Sequence, residues 1–356
     1  MDRRKRNQQN ISGCILGTAV GDALGLPYEG LSRRRGRKLF PDPGRHHLLL
    51  GRGMVSDDTE HTCFVALALI ASKGEPKKFQ NNLARSLRWW LLGLPAGVGF
   101  ATLRAILKLW LGASPAKSGV FSAGNGPAMR SPILGLVFGR DPEKLREMVK
   151  ISTRITHTDP KAFYGAYAAA LAAHYSASET TIPPDIFYSK VQEALKDEAA
   201  DEFVDLLQQA VESAKRGEST AHFSASIGGA TGISGYIYHT VPSVIQTWLR
   251  HQNNFGGAIE EMILAGGDSD TTAAILGGIS GARGIQHIPA AWINGIIDWP
   301  RSTQWMAKVG DALFQTMENR REMQPPGYFL PGLLLRNIFF LIVVLLHGLR
   351  RLAPPY

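Results

Sequence analysis

The sequence predicts an all-α protein built as one domain, and three observations lead to this prediction. Apolar residues recur at three- and four-residue spacings along most of the chain, whereas the strict alternation typical of β-strands is scarce. Gly/Pro turns separate the periodic segments, and no tandem repeat, low-complexity tract or interdomain linker occurs before residue 320. With 356 residues, 44% of them hydrophobic, the chain can bury a substantial core.

We expect three segments along the chain. Residues 1–10 form a basic N-terminal extension, residues 11–320 the all-α domain, and residues 321–356 an apolar C-terminal helical tail. The periodicity predicts helices, in order, over residues 11–26, 59–73, 81–93, 99–112, 162–176, 186–198, 202–214, 257–265, 271–283 and 303–317. Turns are predicted between them, at residues 27, 41–45, 95–97, 124–127, 183–184 and 242.

The first predicted helix carries four glycines at four-residue intervals, Gly13, Gly17, Gly21 and Gly25. This spacing places a stripe without side chains along one face of the helix. The stripe predicts close packing against another helix, and its end would also let Asp22 and Glu29 approach a ligand. Ser12 is positioned to cap this helix, and Asp159-Pro160 to begin the helix near residue 161.

The tail differs in composition from the rest of the chain. Leu330–Leu352 is strongly apolar, and Ile338–Leu346 is an unbroken apolar run. A helix that spans a bilayer needs about 20 mostly apolar residues, so this segment is marginal for crossing a membrane. The alternatives are a helix that docks on the body, one that pairs with a second protomer, and one that lies at a membrane surface.

Charge and cysteine content bound the partners and the compartment. The net charge of +9 includes basic clusters at residues 3–6, 33–38 and 350–351, which either attract polyanions or form solvated surface. Cys14 and Cys63 lie inside apolar helical patterns, which fits a reducing compartment and argues against disulfides or a cysteine-based metal site. The basic start lacks the apolar run of a signal peptide. We expect a cytoplasmic protein, with membrane association through the tail left open.

Two acidic turns are the strongest chemical signal in the sequence. Ser56-Asp57-Asp58-Thr59 and Gly267-Asp268-Ser269-Asp270-Thr271-Thr272 lie about two hundred residues apart, and each leads into an apolar helical pattern. Each offers two carboxylates and a hydroxyl, the oxygen donors that Mg²⁺ prefers. If the fold brings the turns together, four anions would repel one another unless cations lay between them, as in a two-metal centre. The alternative is that these residues only cap two helices.

Three weaker elements lie between the acidic turns. The glycine-rich segment 122–130 could bring backbone N–H groups close to a diphosphate, although Gly-Asn-Gly is also an ordinary turn. His157, near a predicted helix start, is either a structural hydrogen-bonding residue or a ligand contact. Tyr236, next to Gly235, is suited to stacking on a base or sugar, or is simply a core residue.

Taken together and in this order, these elements resemble the ADP-ribosylglycohydrolase family. The resemblance covers roughly residues 11–315 and rests on five segments: Gly17–Gly25 with Glu29, Ser56–Thr59, Gly124–Arg130, Ile155–His157 and Gly266–Thr271. It implies an all-α fold, a single orthogonal multi-helix bundle with a di-metal cleft that holds two Mg²⁺ ions. It also implies hydrolysis of the N- or O-glycosidic bond that joins ADP-ribose to a protein side chain or a small acceptor.

The resemblance also implies roles for individual residues. The implied metal ligands are Ser56, Asp57, Asp58, Asp268, Asp270 and Thr271. Catalytic roles are implied for Glu29, on a flap near the scissile bond, and for Asp57 and Asp58. The implied substrate contacts are Ser122, Gly124, Asn125 and Gly126 for the diphosphate, and His157 and Tyr236 for the distal ribose and adenine.

Several functional alternatives stay open at the level of sequence. The acceptor could be arginine, serine, a nucleic-acid end or a free metabolite, with nucleic acid a partner only as an ADP-ribosylated acceptor. Gly97 stands where relatives that act on arginine-linked ADP-ribose often carry Asp, which argues against that linkage. A non-catalytic ADP-ribose-binding or crystallin-like structural protein and a metal-dependent phosphodiesterase are the rival functions.

Overall fold

The all-α prediction is confirmed by the structure, a computed structural model that describes residues 3–178 and 181–354. Within these ranges all ten predicted helices are present, and isolated β-bridges take the place of strands. The helices are α1 (Arg3–Gly25), α2 (Arg33–Leu39), α3 (Asp57–Ser72), α4 (Pro76–Leu92), α5 (Phe100–Trp110), α6 (Gly126–Met129), α7 (Pro132–Phe138), α8 (Pro142–Arg154), α9 (Pro160–Ser176), α10 (Pro184–Leu195), α11 (Asp201–Lys215), α12 (Thr220–Ser226), α13 (Ile237–Arg250), α14 (Phe255–Leu264), α15 (Ser269–Gly281), α16 (Ala290–Asn294), α17 (Thr303–Met317) and α18 (Leu330–Arg351).

The N-terminal end of the first helix differs from the prediction. Helix α1 begins at Arg3 instead of residue 11, so most of the basic segment 1–10 belongs to its first turns. The predicted cap at Ser12 is wrong, because this residue is buried in the middle of α1, where it packs against Gly310 of α17. The predicted cap at Asp159 is confirmed, since its carboxylate accepts a hydrogen bond of 2.9 Å from the Lys161 N–H. Residues 1–2 of the extension and 355–356 of the tail lie outside the described residues.

The turn predicted at Pro242 is also wrong, because this residue lies inside α13. Proline removes one helical hydrogen bond and normally kinks or breaks a helix. Here, however, almost the whole of α13 is buried, including Val241, Val244 and Trp248. Tertiary packing of this helix therefore outweighs the local preference of proline.

The glycine stripe of α1 packs directly on the backbone of α15. An added Cβ at Gly13, Gly17, Gly21 or Gly25 would lie only 2.0–2.3 Å from a carbonyl oxygen of α15. No side chain larger than hydrogen fits in this contact. The packing explanation of the stripe is therefore confirmed, and α1 and α15 run against each other along their length.

Helix α18 docks on the body through one face. Its buried residues include Leu333, Arg336, Phe340, Val343 and His347, which recur at helical spacing. By length and composition it is also the one helix among the described residues that could cross a membrane. The structure thus places one face of the apolar tail against protein, and the opposite face is exposed.

Candidate active site

The fold brings the two acidic turns together. Asp57 and Asp58 open α3, and Asp270 and Thr271 lie in the first turn of α15. The Thr271 hydroxyl donates to Asp58 Oδ2 over 3.2 Å, although the two residues are 213 positions apart in the chain. The two acidic turns therefore meet in the fold, as a shared acidic centre requires.

Helix capping explains only part of this arrangement. The Ser56 hydroxyl accepts from the Asp58 N–H over 3.4 Å, so it caps α3. Asp268 stands at the cap position of α15 but makes no side-chain capping hydrogen bond. Its Oδ2 accepts instead from Asn125 Nδ2 over 2.7 Å. The carboxylates are thus not all used by helix ends, and Asp268 is linked to the glycine-rich segment.

Asp22 lies beneath the start of α3 and takes a role that the sequence did not indicate. Its Oδ2 accepts from the Ser56 N–H at 2.8 Å, the Thr59 N–H at 3.2 Å and the Thr59 hydroxyl at 2.5 Å. Burial raises its pKa to about 6 against the effect of these hydrogen bonds. Asp22 therefore holds the first acidic turn from below instead of facing the cavity.

The carboxylates of the centre repel one another. Burial, followed by the charge of Asp57, raises the pKa of Asp58 well above its usual value. Burial, followed by the charge of Glu29, does the same for Asp270. One oxygen of each, Oδ1, is buried without a hydrogen-bond partner. Buried acceptors without partners are rare, and a bound cation could both contact these oxygens and offset the repulsion between the carboxylates.

The ligand set for such a cation is not preformed from acidic side chains alone. Among the described residues, no three His, Cys, Asp or Glu side chains are grouped so that they could hold a metal ion. The donors that the structure does bring together are mixed, because the Ser56 and Thr271 hydroxyls both reach Asp58 Oδ2 at 3.2 Å. Hard cations accept such hydroxyl and carboxylate oxygens together.

A cavity of about 380 Å³ opens over the acidic centre. Its polar lining contains every residue of the sequence-derived site except Asp58 and Tyr236: Glu29, Ser56, Asp57, Ser122, Gly124, Asn125, Gly126, His157, Asp268, Asp270 and Thr271. Asp58 lies directly behind this lining and is almost fully buried. Tyr236 lies beside the cavity, where its hydroxyl accepts from Lys161 Nζ over 3.1 Å, and its neighbour Gly235 lines the wall.

The glycine-rich segment is fixed by local hydrogen bonds. The Asn125 N–H donates to Gly235 O over 3.0 Å, and the Gly124 N–H donates to Ser122 Oγ over 3.3 Å. The imidazole of His157 packs beneath this segment, because a Cβ added at Gly124 would lie 3.1 Å from its Nε2. Glycine at this position therefore lets the backbone lie against both the imidazole and the cavity.

His157 is held as a neutral ring. Its Nδ1 is paired with the Thr156 hydroxyl at 2.9 Å, and burial, followed by the charge of Arg130, lowers its pKa to about 3. Arg130 itself is fully buried and donates to Gly126 O, Ser152 O and the Thr156 hydroxyl. Its position at the end of the glycine-rich motif was visible in the sequence, but its role in holding the segment from behind was not.

Glu29 lies at the mouth of the cavity. Its side chain is accessible to solvent at this mouth. The surrounding protein partly desolvates the carboxyl and raises its pKa, and the negative charge of Asp268 raises the pKa further. The positive charge of Arg351 lowers the pKa and opposes both effects. The Arg351 guanidinium donates to the backbone oxygens of Leu26, Pro27 and Glu29 at 2.6–3.1 Å. The C-terminal helix therefore holds the segment that carries Glu29.

The wall opposite the polar lining is apolar, and α18 supplies part of it. Leu26, Ala96 and Phe100 line the cavity together with Phe340 and Val344 of α18. Sequence reasoning missed the last two residues, because nothing in the apolar tail marks which of its positions face the site.

Comparison with known proteins identifies the family. A family model described as ADP-ribosylglycohydrolase matches residues 3–322. The chain belongs to the ADP-ribosylglycohydrolase family. The match ends before α18, so Phe340, Val344 and Arg351 lie beyond the part of the chain that carries the family pattern.

Several known proteins are similar to most of the chain. An uncharacterized protein of Archaeoglobus fulgidus is 30% identical over 82% of this chain and 92% of its own length. The ADP-ribosyl-[dinitrogen reductase] glycohydrolase of Rhodospirillum rubrum is 26% identical over 79% and 88%. The ADP-ribosylhydrolase ARH3 of Gallus gallus is 26% identical over 82% and 90%.

A solved structure supports the fold of this family member. The ADP-ribosylglycohydrolase-related protein complex superposes with a TM-score of 0.66 and 24% sequence identity, over 90% of this chain and 100% of that chain.

Proposed function

We propose that this protein is a Mg²⁺-dependent hydrolase that cleaves the glycosidic bond between ADP-ribose and an acceptor. The observation that carries the proposal is the hydrogen bond from Thr271 to Asp58, which joins the two acidic turns at the base of the cavity. Family membership supports hydrolysis of an ADP-ribosyl bond, since named relatives are an ADP-ribosyl-[dinitrogen reductase] glycohydrolase and ADP-ribosylhydrolases.

The residues fit a Mg²⁺ centre by their chemistry. The ligands would come from Ser56, Asp57, Asp58, Asp268, Asp270 and Thr271. The buried Oδ1 atoms of Asp58 and Asp270 lack partners, and burial, followed by repulsion from neighbouring carboxylates, raises the pKa of both carboxyls. Bound Mg²⁺ would supply positive charge to the ribose hydroxyls and to a nucleophilic water.

The glycine-rich segment and His157 would orient the rest of the substrate. Gly124, Asn125 and Gly126, with Ser122, line the cavity where a diphosphate would lie. His157 is neutral at ordinary pH, so it offers hydrogen bonds to a sugar hydroxyl without adding a charge. Arg130 keeps both elements in place from behind.

Glu29 would act on the acceptor side of the bond. Cleavage at an anomeric carbon passes through an oxocarbenium-like transition state, and the leaving acceptor needs a proton. Burial and the charge of Asp268 raise the pKa of Glu29, so its carboxyl holds a proton more readily than an ordinary glutamate and could donate one to the acceptor. The acceptor would leave along the apolar wall of Leu26, Phe100 and Phe340.

A release assay over a panel of substrates tests the proposal. Purified protein is incubated with peptides ADP-ribosylated on serine or arginine, with DNA carrying a terminal ADP-ribosyl group, and with a small ADP-ribosyl metabolite. We expect free ADP-ribose from at least one substrate with Mg²⁺, and none after chelation by EDTA.

The same assay separates the rival functions. Binding of ADP-ribose without release from any substrate would indicate the non-catalytic protein. Cleavage of unmodified nucleic acid without release of ADP-ribose would indicate a phosphodiesterase. Release that is unaffected by EDTA would contradict the Mg²⁺ dependence but leave the hydrolase.

A further inference from the structure

The outer face of α18, the side turned away from the body, is almost entirely apolar. Its exposed residues include Leu335, Ile338, Phe339, Ile342, Leu346 and Leu349, each 45–63% exposed. These residues follow helical spacing along a helix of 22 residues, which is about 33 Å long. A continuous exposed apolar stripe of this kind is typical of a surface that contacts a protein or a membrane.

Apolar residues from other parts of the chain extend this outer face. Trp299 and Phe329, 51% and 57% exposed, have ring centroids 6.0 Å apart beside the first turn of α18. Leu94 is 64% exposed and lies in a loop that contacts α18 on both sides of it. The carbonyl of Gly93 accepts from Asn337, and Ala96 packs near Phe340. The patch therefore combines a helix, an aromatic pair and a loop, and the same loop lines the cavity through Ala96.

The buried face of α18 lies on the protein and is held there by polar contacts. Arg336 is buried in an ion pair with Asp298, and Asn337 and His347 donate to or pair with backbone carbonyls of the body. A helix that crossed a bilayer would have to carry these polar groups into hydrocarbon. The arrangement fits a helix parallel to a surface, with one face on protein and the other on an apolar medium.

Charge distinguishes a lipid surface from a second copy of the chain. Residues 323–356 contain no Asp or Glu, and Arg350 is exposed at the C-terminal end of α18. The basic helix α2 lies beside this end, since Arg35 donates to the carbonyl of Arg351, and Arg34 and Arg37 are exposed. The α18 of a second copy would add more arginine and no acidic side chain to pair with Arg350. Anionic lipid headgroups, in contrast, complement the charge of this basic end.

We propose that the outer face of α18, with Trp299 and Phe329, docks on an anionic lipid surface and holds the cavity beside it. Tryptophan at one end and arginine at the other match the groups that favour the interface between headgroups and acyl chains. This inference does not depend on the chemistry proposed for the cavity. Together with the proposed function, it implies that the acceptors within reach are carried on or near a membrane.

Sedimentation with vesicles tests the proposal on the full chain. We expect the protein to pellet with vesicles of equal parts phosphatidylserine and phosphatidylcholine, and much less with phosphatidylcholine alone. Ile342→Glu places a charge in the outer face and should weaken binding by about tenfold or more. The matched control is Ile186→Glu on α10, because both isoleucines are 50% exposed, and it should bind like the parent.

Two further measurements make the test decisive. Arg350→Glu should weaken binding to the anionic vesicles and leave the melting temperature unchanged, because the residue is exposed. Light scattering in the absence of lipid gives the oligomeric state. A dimer that Ile342→Glu dissociates, together with no vesicle binding, would overturn the proposal in favour of a protomer interface. Equal binding by Ile342→Glu and Ile186→Glu would also overturn it.

Discussion

Arg336 and Asp298 form a buried bidentate ion pair, and both residues also hold the backbone of Val55. The guanidinium reaches the carboxylate through Nε at 2.9 Å and Nη2 at 2.7 Å. Asp298 Oδ2 accepts from the Val55 N–H over 2.9 Å, and Arg336 donates to the Val55 carbonyl over 2.5 Å. Since Val55 directly precedes the first acidic turn, the C-terminal helix helps to position that turn.

Removal of Arg336 should therefore be costly. In Arg336→Met the Asp298 carboxylate stays buried without its partner, and we expect the free energy of unfolding to fall by about 3–5 kcal/mol. Arg350→Met, on the exposed end of the same helix, should change it by less than about 0.5 kcal/mol. Adding Asp298→Leu to Arg336→Met removes the unpaired buried charge and should restore part of the loss in a denaturant titration, the remainder reflecting the lost hydrogen bonds to Val55. A loss of similar size in all three variants would contradict this account.

Asp268 gives a test of the metal centre. Asp268→Ala should abolish turnover and reduce the rise in melting temperature on adding Mg²⁺, because each carboxylate offsets cation charge. The control is Asp201→Ala in the first turn of α11, an exposed aspartate outside the cavity. If Asp268→Ala keeps its activity and its response to Mg²⁺, the assignment of this residue as a ligand is wrong.

Gly126 tests the contact with the diphosphate. ADP-ribose should stabilise the protein, and free ribose should not, because the proposed contact of this segment is to the diphosphate, which ribose lacks. A Cβ at this position would lie 3.3 Å from His157 Cε1, so the branched side chain of Gly126→Val should crowd the imidazole and hinder close approach of the backbone to a ligand. We expect affinity for ADP-ribose by calorimetry to fall about tenfold, or about 1.4 kcal/mol.

A matched control for Gly126→Val is Gly327→Val, where an added Cβ meets no atom within 4 Å. This variant should bind ADP-ribose with the affinity of the parent. Equal affinities for ribose and ADP-ribose in the parent protein would show that the segment does not recognise the diphosphate.

Arg351 should set the pH dependence of Glu29. The positive charge of Arg351 lowers the pKa of Glu29, so Arg351→Gln should raise that pKa further. If the ionisation of Glu29 controls one limb of the profile of kcat/KM against pH, the midpoint of that limb should move to higher pH. Arg351→Lys keeps the charge and should restore the midpoint, and Arg350→Gln should not move it. A lower rate with an unmoved midpoint would mean that Arg351 acts only on structure.

Local sequence signals predicted ten of the helices, the helical tail and the polar half of the site, because these depend on short spacings, but α8 and α13 were not among the predicted helices. The acidic turns, the glycine-rich segment and His157 are each contained in a few residues, and the cavity brings them together. The wall formed by Phe340 and Val344 could not be predicted, since it depends on how a distant apolar helix docks. The same holds for Asp22, whose hydrogen bonds reach residues 34 and 37 positions away.

Pro242 is a case in which tertiary packing overrides a local preference. Proline disfavours the interior of a helix, yet the burial of α13 on nearly all sides supplies more stabilisation than the missing hydrogen bond removes. Ser12 is similar, because a good capping residue is also tolerated within a buried helix when a small side chain is needed against Gly310.

The direct backbone contact between α1 and α15 fixes the distance between the two helices that carry parts of the acidic centre. Side chains in a core can repack around a substitution, but a carbonyl oxygen 2.0 Å from an added methyl at Gly21 can give way only if a whole helix moves. Asp22 lies in α1 and Asp270 in α15. The distance between these two carboxylates is therefore set by the backbone contact more than by the apolar residues of the surrounding core. Apolar residues of the surrounding core could therefore be exchanged for one another, whereas the four glycines of α1 must be kept to hold the two helices at this distance.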